Sequence, residues 1–279
     1  EQSRLKVYIR DFRLYLRIMR QNLAIKLNFD HYGEKTGGSP LVIIHGLYGS
    51  ASNFRGLAKI YAQHYQVYCV DLRNHGNSPH SDDMSYPLMA ADVVEFMDDQ
   101  NIDRAHILGH SMGGKTAMQV ALSYPERIDK LVLGDIAPIL YPNHHESIFE
   151  GLTAIPLDQI KSRGEADKLL SQYVDEAGVR MFLLTNLVRS DEGGFNWRIN
   201  IPALINNYDH IAAAPDGISY DGETLFIRGE HSHYLLDEYV PETLELFPSA
   251  RIETIDDCGH WLHSEKPQEF SKILLDFLK

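Results

Sequence analysis

The segment GHSMG, residues 109–113, places a serine between two glycines with the spacing G-x-S-x-G. The preceding residues AHILG predict a strand, and a helix is expected to begin at Ser111. A serine in such a turn is held in a strained conformation at the strand tip, where larger side chains two residues away would collide with the turn. The pattern therefore predicts a nucleophilic hydroxyl that points outward at a helix N-terminus, where developing negative charge is stabilised.

A serine hydroxyl is a weak nucleophile at neutral pH unless a base removes its proton, and histidine is the usual base. His260 follows the predicted strand ARIETI, and Gly259 allows the loop to fold back toward the sheet edge. We therefore expect His260 to be the general base. His263 comes three residues later and is interpreted as a structural or surface histidine.

The negatively charged oxygen of a tetrahedral intermediate needs two preorganised N–H donors. The backbone N–H of Met112, directly after the serine, is one candidate. The other is the N–H of Leu47, in the glycine-containing loop that follows the predicted strand PLVIIH. These two positions are predicted to form an oxyanion hole through their main chain.

From residue 22 onward, predicted strands alternate with predicted helices. Short apolar runs predict strands in NLAIKLNF, PLVIIH, QVYCVDL, AHILG, IDKLVLGD, ETLFIRG and ARIETI, and helices are expected near 52–63, 86–99 and 234–246, from Ser111, and in QEFSKILLDFL. Strands alternating with helices indicate a parallel sheet covered by helices on both faces. Residues 139–218 show only short helical patterns, so we expect them to form a cap over the carboxyl ends of the strands, where open α/β sheets bind ligands.

The expected organisation is a core of residues 19–138 and 219–279, with the cap of residues 139–218 inserted into it. Residues 1–18 are interpreted as an N-terminal extension outside the fold. This extension is basic, with six Arg and Lys side chains among residues 1–20 opposed by Glu1 and Asp11. Transit peptides are usually rich in serine, and only Ser3 occurs here, yet an organelle-targeting role stays open beside the cytoplasmic one.

Composition narrows the class of ligand. The net charge is −13 and hydrophobic residues make up 44% of the 279 residues. An acidic chain has no electrostatic attraction for nucleic acid or anionic membranes, and no apolar run is long enough for a membrane span. Cys69 and Cys258 show no disulfide framework, which favours reduced thiols and a cytoplasmic setting. The histidine pairs 144–145 and 231/233 lack the further ligands of a recognisable metal spacing. We therefore expect a small-molecule substrate and no metal.

Four segments in a fixed order, HGLYGS, VDLRNHGNSP, GHSMGG and GHWLHSEKP, resemble the α/β-hydrolase superfamily over residues 40–137 and 218–279. RNHG at 73–76, GHSMGGKTAM, GDIAP and WRIN at 197–200 are similar to the YbfF-type bacterial esterases and their mitochondrial relatives. The resemblance implies an α/β-hydrolase fold with a mostly parallel central sheet, helices on both faces and a helical cap inserted after the sixth strand. It also implies a carboxylesterase or acyl thioesterase without a metal or organic cofactor.

A catalytic triad needs an acid beside the serine and the histidine, and this acid is harder to identify in the sequence. In most of the superfamily it follows the strand ETLFIRG in the pattern G-x-x-D, but this chain has Ser232 there. The competing carboxylates are Asp135, Glu230, Asp237 and Glu238. Asp135 ends the strand KLVLGD, next to the nucleophile strand or one removed, and preserves the order serine, acid, histidine. The resembling esterases use an aspartate at this strand, so Asp135 is expected to support His260, with Ser232 hydrogen-bonding nearby.

The resulting prediction is a serine hydrolase that cleaves carboxylic ester or thioester bonds of small acyl substrates through an acyl-enzyme. Apolar cap residues are candidate walls of the substrate pocket, chiefly Phe195 and Trp197, with Phe149 and Leu183. Basic residues that could meet the phosphates of a coenzyme A ester are Lys115, Arg180, Arg189 and Arg198. Two alternatives stay open: a C–C bond hydrolase or lyase with the same triad, and a non-catalytic binding or receptor protein.

Overall fold

A computed structural model describes residues 23–279, so the predicted extension of residues 1–18 lies outside the described residues. The strands in chain order are β1 (Phe29–Tyr32), β2 (Pro40–Ile44), β3 (Gln66–Val70), β4 (Ala105–His110), β5 (Ile128–Gly134), β6 (Leu187–Arg189), β7 (Phe195–Trp197), β8 (Thr224–Gly229) and β9 (Ala250–Ile255). Seven of them form one sheet in the order β1-β3-β2-β4-β5-β8-β9. Only β1 runs antiparallel to its neighbour, so the prediction of a mostly parallel sheet is confirmed.

The first strand starts later than the sequence pattern predicts. The run NLAIKLNF overlaps β1 only at Phe29. The backbone N–H of Ile25 donates to the Asp92 carboxylate at 2.8 Å. This segment therefore bonds to a side chain of a covering helix before it reaches the sheet.

Helices cover both faces of the sheet. Their bounds are α1 (Arg55–Tyr61), α2 (Tyr86–Asp99), α3 (Met112–Ser123), α4 (Glu146–Ala154), α5 (Arg163–Leu170), α6 (Ala177–Leu183), α7 (Ile201–Asn206), α8 (Tyr208–Ala212), α9 (Val240–Leu246), α10 (Leu262–Glu265) and α11 (Pro267–Leu278). Val42 and Ile44 of β2 belong to the core under α2 and α3, whereas Leu41 and Ile43 belong to the core under α1 and α11. This alternation follows from the two-residue period of a strand, and both faces of β2 are buried.

The segment between β5 and β8 contains residues 139–218, which the sequence predicts to form the cap and which we call the cap below. It follows β5, the fifth strand of the described residues, where the prediction counted six. It contains five short helices, α4 to α8, together with β6 and β7, which pair as an antiparallel hairpin that the sequence pattern did not predict. Gly193 and Gly194 form its turn with φ of 96° and 76°, values that favour glycine.

Lys115 attaches both ends of the cap to α3. Its ammonium donates to the carbonyl oxygens of Ile139 (2.7 Å), Ala212 (2.9 Å) and Ala213 (2.7 Å). Burial lowers the pKa of Lys115 to about 7, while three carbonyl acceptors favour the charged form, which alone has three donors. The side chain is 1% exposed, so it is not available to a substrate phosphate.

Within residues 23–279, no helix combines the length and the apolar character that crossing a bilayer requires.

Candidate active site

The turn between β4 and α3 holds Ser111 in a strained backbone conformation, with φ 54° and ψ −122°. A Cβ added to Gly109 would lie 2.2 Å from the carbonyl oxygen of Gly113, and one added to Gly113 would lie 2.4 Å from that of Ile44. The G-x-S-x-G spacing is therefore a steric requirement of this turn, as the sequence predicts. Strain of this kind is found where a side chain must be presented in a fixed direction.

Asp135 lies directly after β5, the neighbour of β4 in the sheet, and its carboxylate is fully buried. Its Oδ2 lies 2.6 Å from Nδ1 of His260 and also accepts a hydrogen bond from the Ser232 hydroxyl. Its Oδ1 accepts the backbone N–H of Gly229 at 3.1 Å. A carboxylate can only accept, so Nδ1 of His260 carries the proton and Nε2 is left free to act as a base.

The loop that carries His260 crosses the end of β8 and is supported by groups that sequence reasoning missed. A Cβ on Gly229 would lie 2.3 Å from the carbonyl oxygen of Gly259, so only glycine allows this crossing. His110 Nε2 donates to the carbonyl of His260 at 2.8 Å, and the Tyr234 ring stacks on the imidazole with centroids 4.0 Å apart. His110 directly precedes Ser111 in GHSMG. Its place in this motif is the only feature of the sequence that could have indicated that it supports the loop of His260.

The other three carboxylates that compete for the acid role lie elsewhere. Glu230 is exposed and accepts the backbone N–H of Asp257 at 2.9 Å. The side chain of Asp237 is 90% exposed and pairs with Arg228 at 2.7 Å. Glu238 is exposed as well. Of the four candidates, only Asp135 contacts His260.

The predicted oxyanion positions, Leu47 and Met112, line the same cleft as Ser111 and His260. Met112 is the first residue of α3, so its N–H has no acceptor within the helix. A Cβ on Gly46 would lie 3.2 Å from Cβ of Ser111, which shows how closely the loop of residues 46–49 approaches the serine. We call this segment the oxyanion loop.

The cleft has a volume of about 980 Å³ and lies between the core and the cap. Its walls are largely aromatic and aliphatic and include Tyr48, Tyr141, Val179, Phe182, Leu183 and Trp261. Phe195 and Trp197 lie in the hairpin outside this lining, and Phe149 is likewise absent from it. The prediction that Phe195 and Trp197 form the walls is wrong, because Phe195 is buried beneath the Arg189 guanidinium, 4.4 Å from its ring, and Trp197 pairs with Leu187 across the hairpin.

Comparison with known proteins adds a second line of evidence. Residues 39–162, which include Ser111 and Asp135, match the family described as the alpha/beta hydrolase fold. Esterase YbfF of Escherichia coli (strain K12) is 39% identical over 241 residues, covering 86% of this chain and 93% of the relative. The chain belongs to the α/β-hydrolase superfamily.

Two further relatives of this hydrolase have names that state an activity. The sn-1-specific diacylglycerol lipase ABHD11 of Mus musculus is 42% identical over 247 residues, covering 85% of this chain and 80% of the relative. A solved structure described as a marine microorganism esterase is 41% identical, with a TM-score of 0.88, and covers 91% of this chain and 100% of that chain. The likeness therefore extends over the core and the cap.

Of Ser111, His260 and Asp135, Ser232 contacts only Asp135. Replacing Ser232 should therefore have a modest effect on the rate of this hydrolase. We expect Ser232→Ala to lower kcat about tenfold, equivalent to ~1.4 kcal/mol in the barrier, because one donor to the Asp135 carboxylate is lost. Ser232→Thr keeps the hydroxyl and is expected to retain most of the activity. Steady-state hydrolysis of a p-nitrophenyl ester measures both, and an unchanged rate in Ser232→Ala would contradict the role.

Buried histidines should make the hydrolase less stable in acid. Burial lowers the pKa of His263 to about 4, that of His145 to about 4 and that of His75 to about 3. Unfolded histidine titrates near 6.5, so between about pH 6.5 and 4 the unfolded chain binds more protons and the free energy of unfolding falls as the pH is lowered. Each such histidine contributes up to ~1.4 kcal/mol per pH unit.

His263→Phe tests this contribution, because His263 already stacks on Phe54 with centroids 4.4 Å apart and its Nδ1 has no partner among the described residues. We expect urea unfolding at pH 7, 6 and 5 to show a pH slope smaller by about one proton than in the wild type. His64→Phe, at an exposed position, should leave the slope unchanged. Equal slopes in wild type and His263→Phe would contradict the prediction.

Proposed function

We propose that this protein is a serine ester hydrolase in which Ser111 is the nucleophile, His260 the general base and Asp135 the acid that orients the base. The observation that carries the proposal is the 2.6 Å contact between Asp135 and His260 in the cleft that also holds the strained Ser111. Ser232 supports the carboxylate. The N–H groups of Leu47 and Met112 are proposed as the oxyanion hole.

The chemistry proceeds in two half-reactions. Nε2 of His260 takes the hydroxyl proton as Oγ of Ser111 bonds to the carbonyl carbon, and the carbonyl oxygen becomes an oxyanion. The intermediate collapses when the alkoxy oxygen leaves with the proton held by His260, which gives an acyl-enzyme and an alcohol. Water, deprotonated by the same imidazole, then releases the carboxylic acid and restores Ser111.

Charge in the cleft favours a neutral substrate. Asp175, Glu176 and Glu265 belong to its lining, whereas Lys115 is held by three carbonyls. Anionic substrates would be repelled by carboxylates without gaining an ion pair. We therefore propose uncharged carboxylic esters as the substrate class, which agrees with the diacylglycerol substrate in the name of the mouse relative.

Thioesters share the same attack on a carbonyl carbon, so an uncharged acyl thioester fits this site. A coenzyme A ester fits less well, because two of the three cap arginines considered for its phosphates already have partners. Arg180 pairs with Asp167 at 2.8 Å, and Arg189 lies over Phe195. We propose that coenzyme A esters are poor substrates.

Two further proposals concern organisation and compartment. We propose that residues 139–218 act as a cap over a core of residues 19–138 and 219–279, because residues of both segments line the cleft. We also propose a cytoplasmic setting, supported by Cys69 and Cys258, which are buried free thiols. Thiols of this kind are typical of a reducing compartment.

A panel of acyl donors tests the substrate class. We expect turnover of p-nitrophenyl butyrate with a burst of p-nitrophenol, turnover of S-phenyl thiobutyrate, and a kcat/KM for butyryl-coenzyme A lower than for S-phenyl thiobutyrate by at least about tenfold, ~1.4 kcal/mol. Because charge causes the difference, it should shrink as salt is added. Binding of all donors without turnover would support a receptor protein and overturn the proposal, as would cleavage confined to vinylogous 1,5-diketones, the substrates of C–C bond hydrolases.

A further inference from the structure

Two of the segments that carry the family resemblance lie outside the proposed triad and contact each other. Asn74 of RNHG accepts two hydrogen bonds from Asn200 of WRIN, one from its backbone N–H to the Asn74 carbonyl at 3.0 Å and one from its side-chain amide to Oδ1 at 3.1 Å. Residues 73–76 belong to the core and residues 197–200 to the cap. The RNHG segment therefore lies against the cap.

The same segment holds the oxyanion loop through His75. Nδ1 of His75 faces the carbonyl of Arg73 at 2.9 Å, and Nε2 accepts the backbone N–H of Tyr48 at 3.2 Å. A carbonyl cannot donate, so Nδ1 carries the proton and Nε2 is the acceptor. Burial, first of all, lowers the pKa of His75 to about 3, which keeps the ring in this neutral form.

The cap binds the backbone carbonyl of Tyr48. Asn186, 2% exposed in the cap, donates its side-chain amide to the carbonyl of Tyr48 at 2.7 Å. Tyr48 adopts φ 62°, a conformation unusual for a residue with a side chain. A strained residue persists only where its surroundings fix it, and here both backbone groups of Tyr48 are bound, one by the core and one by the cap.

Arg73 anchors the loop that carries His75. The guanidinium of Arg73 makes two 2.7 Å hydrogen bonds to the buried Asp92 carboxylate and a 2.8 Å bond to the carbonyl of Asp83. The Arg73 side chain is 1% exposed. The loop that carries His75 is thus anchored to α2 and has little freedom to follow the oxyanion loop if that loop moves.

We infer that His75 and Asn186 are positioning residues that fix the oxyanion loop, so that docking of the cap sets the direction of the Leu47 N–H. This inference rests on the proposed function. Tyr48 directly follows Leu47, and the turn is closed by a 2.9 Å bond from the Gly49 N–H to the Gly46 carbonyl. Rotating the Tyr48 backbone therefore turns the neighbouring N–H away from the oxyanion.

The test measures stabilisation of the tetrahedral state separately from substrate binding. We expect His75→Leu and Asn186→Leu each to lower kcat by about 10- to 100-fold, less than the ~10² to 10³ for complete loss of an oxyanion donor, while KM changes less than threefold. Affinity for an aryl trifluoromethyl ketone, which forms a tetrahedral adduct with serine, should fall by the same factor as kcat/KM. Affinity for the corresponding non-adduct alcohol should stay unchanged.

Two further variants separate positioning from general stability. His75→Gln retains an acceptor and should recover part of kcat. Asn207→Leu removes another buried contact of the cap, with the Met84 N–H at 3.1 Å, and should leave ketone affinity unchanged. Equal losses of ketone and alcohol affinity in Asn186→Leu, or the same ketone loss in Asn207→Leu, would overturn the inference. Should His75→Leu fail to fold, Asn186→Leu decides the question alone.

Ester turnover by the wild type distinguishes failure of this inference from failure of the proposed function. Absence of ester turnover in the wild type counts against the proposed function. A wild type that hydrolyses esters, together with unchanged kcat in both leucine variants, counts against the positioning role only.

Discussion

Asp135→Asn is expected to lower kcat by about 10⁴-fold, the size of effect seen when the acid of a serine triad becomes an amide. In the native site Oδ1 accepts from the Gly229 N–H and Oδ2 accepts from His260 and Ser232. An asparagine that keeps the first bond turns its NH₂ group toward Nδ1 of His260. The imidazole then carries its proton on Nε2, the wrong nitrogen to remove the proton of Ser111.

Asp237→Asn is the matched control, because Asp237 makes only a surface ion pair with Arg228, and such pairs contribute little. Steady-state kinetics with a p-nitrophenyl ester should show it at the wild-type rate. Loss of activity in Asp237→Asn with retention in Asp135→Asn would reverse the assignment. Adding Ser232→Asp to Asp135→Asn should restore part of the activity, since residue 232 already lies beside the carboxylate.

Ser111→Ala is expected to lower kcat by about 10⁶-fold, the size of effect reported for removing a triad nucleophile. Binding should persist, because the cleft walls do not change. Stability should change little, since alanine meets the same strain at φ 54° as serine does. The measurement is turnover of p-nitrophenyl butyrate together with mass spectrometry after treatment with a fluorophosphonate.

The fluorophosphonate should add once, on Ser111, in the wild type and not at all in Ser111→Ala. Ser123→Ala provides a control at the end of the same helix and should react like the wild type. A covalent adduct in Ser111→Ala, or turnover close to that of the wild type, would show that another residue is the nucleophile.

The nucleophile turn could be predicted from the sequence because its determinants are local. Gly109, Ser111 and Gly113 lie within one turn, and the steric reason for each glycine concerns atoms a few residues away or on the next strand. The buried strands β2 to β5 could be predicted for a similar reason, since their apolar runs are continuous. The contact between Asp135 and His260 joins residues far apart in the chain, so the order of the strands and the resemblance to the esterases indicated it.

The cap was harder to predict. Strands β6 and β7 have three residues each, too few to show a two-residue alternation. The turn SDEGG between them carried the available signal, because two adjacent glycines permit positive φ at both positions. Phe195 and Trp197 look like pocket walls in the sequence, yet neither lines the cleft, because Phe195 packs beneath Arg189 and Trp197 pairs with Leu187, contacts that depend on tertiary packing.

His75 and Asn186 were missed because hydrogen bonds to a backbone leave no pattern in a sequence. RNHG and WRIN were recognised as segments, but their mutual contact and the bond from His75 to Tyr48 depend on how the cap docks. The resemblance included His75 within RNHG without giving its physical role, and Asn186 lies in none of the segments that carry the resemblance.

The anchoring of the cap by Lys115 has an evolutionary consequence. The carbonyls of Ile139, Ala212 and Ala213 all lie within 3 Å of one nitrogen atom, so the chain leaves and re-enters the core at nearly the same point. Insertions whose ends lie close together are the kind that a domain tolerates. An insertion of different length or shape would therefore meet the core at the same two points without moving the strand tips, so the walls of the cleft can change while Ser111, Asp135 and His260 keep their positions.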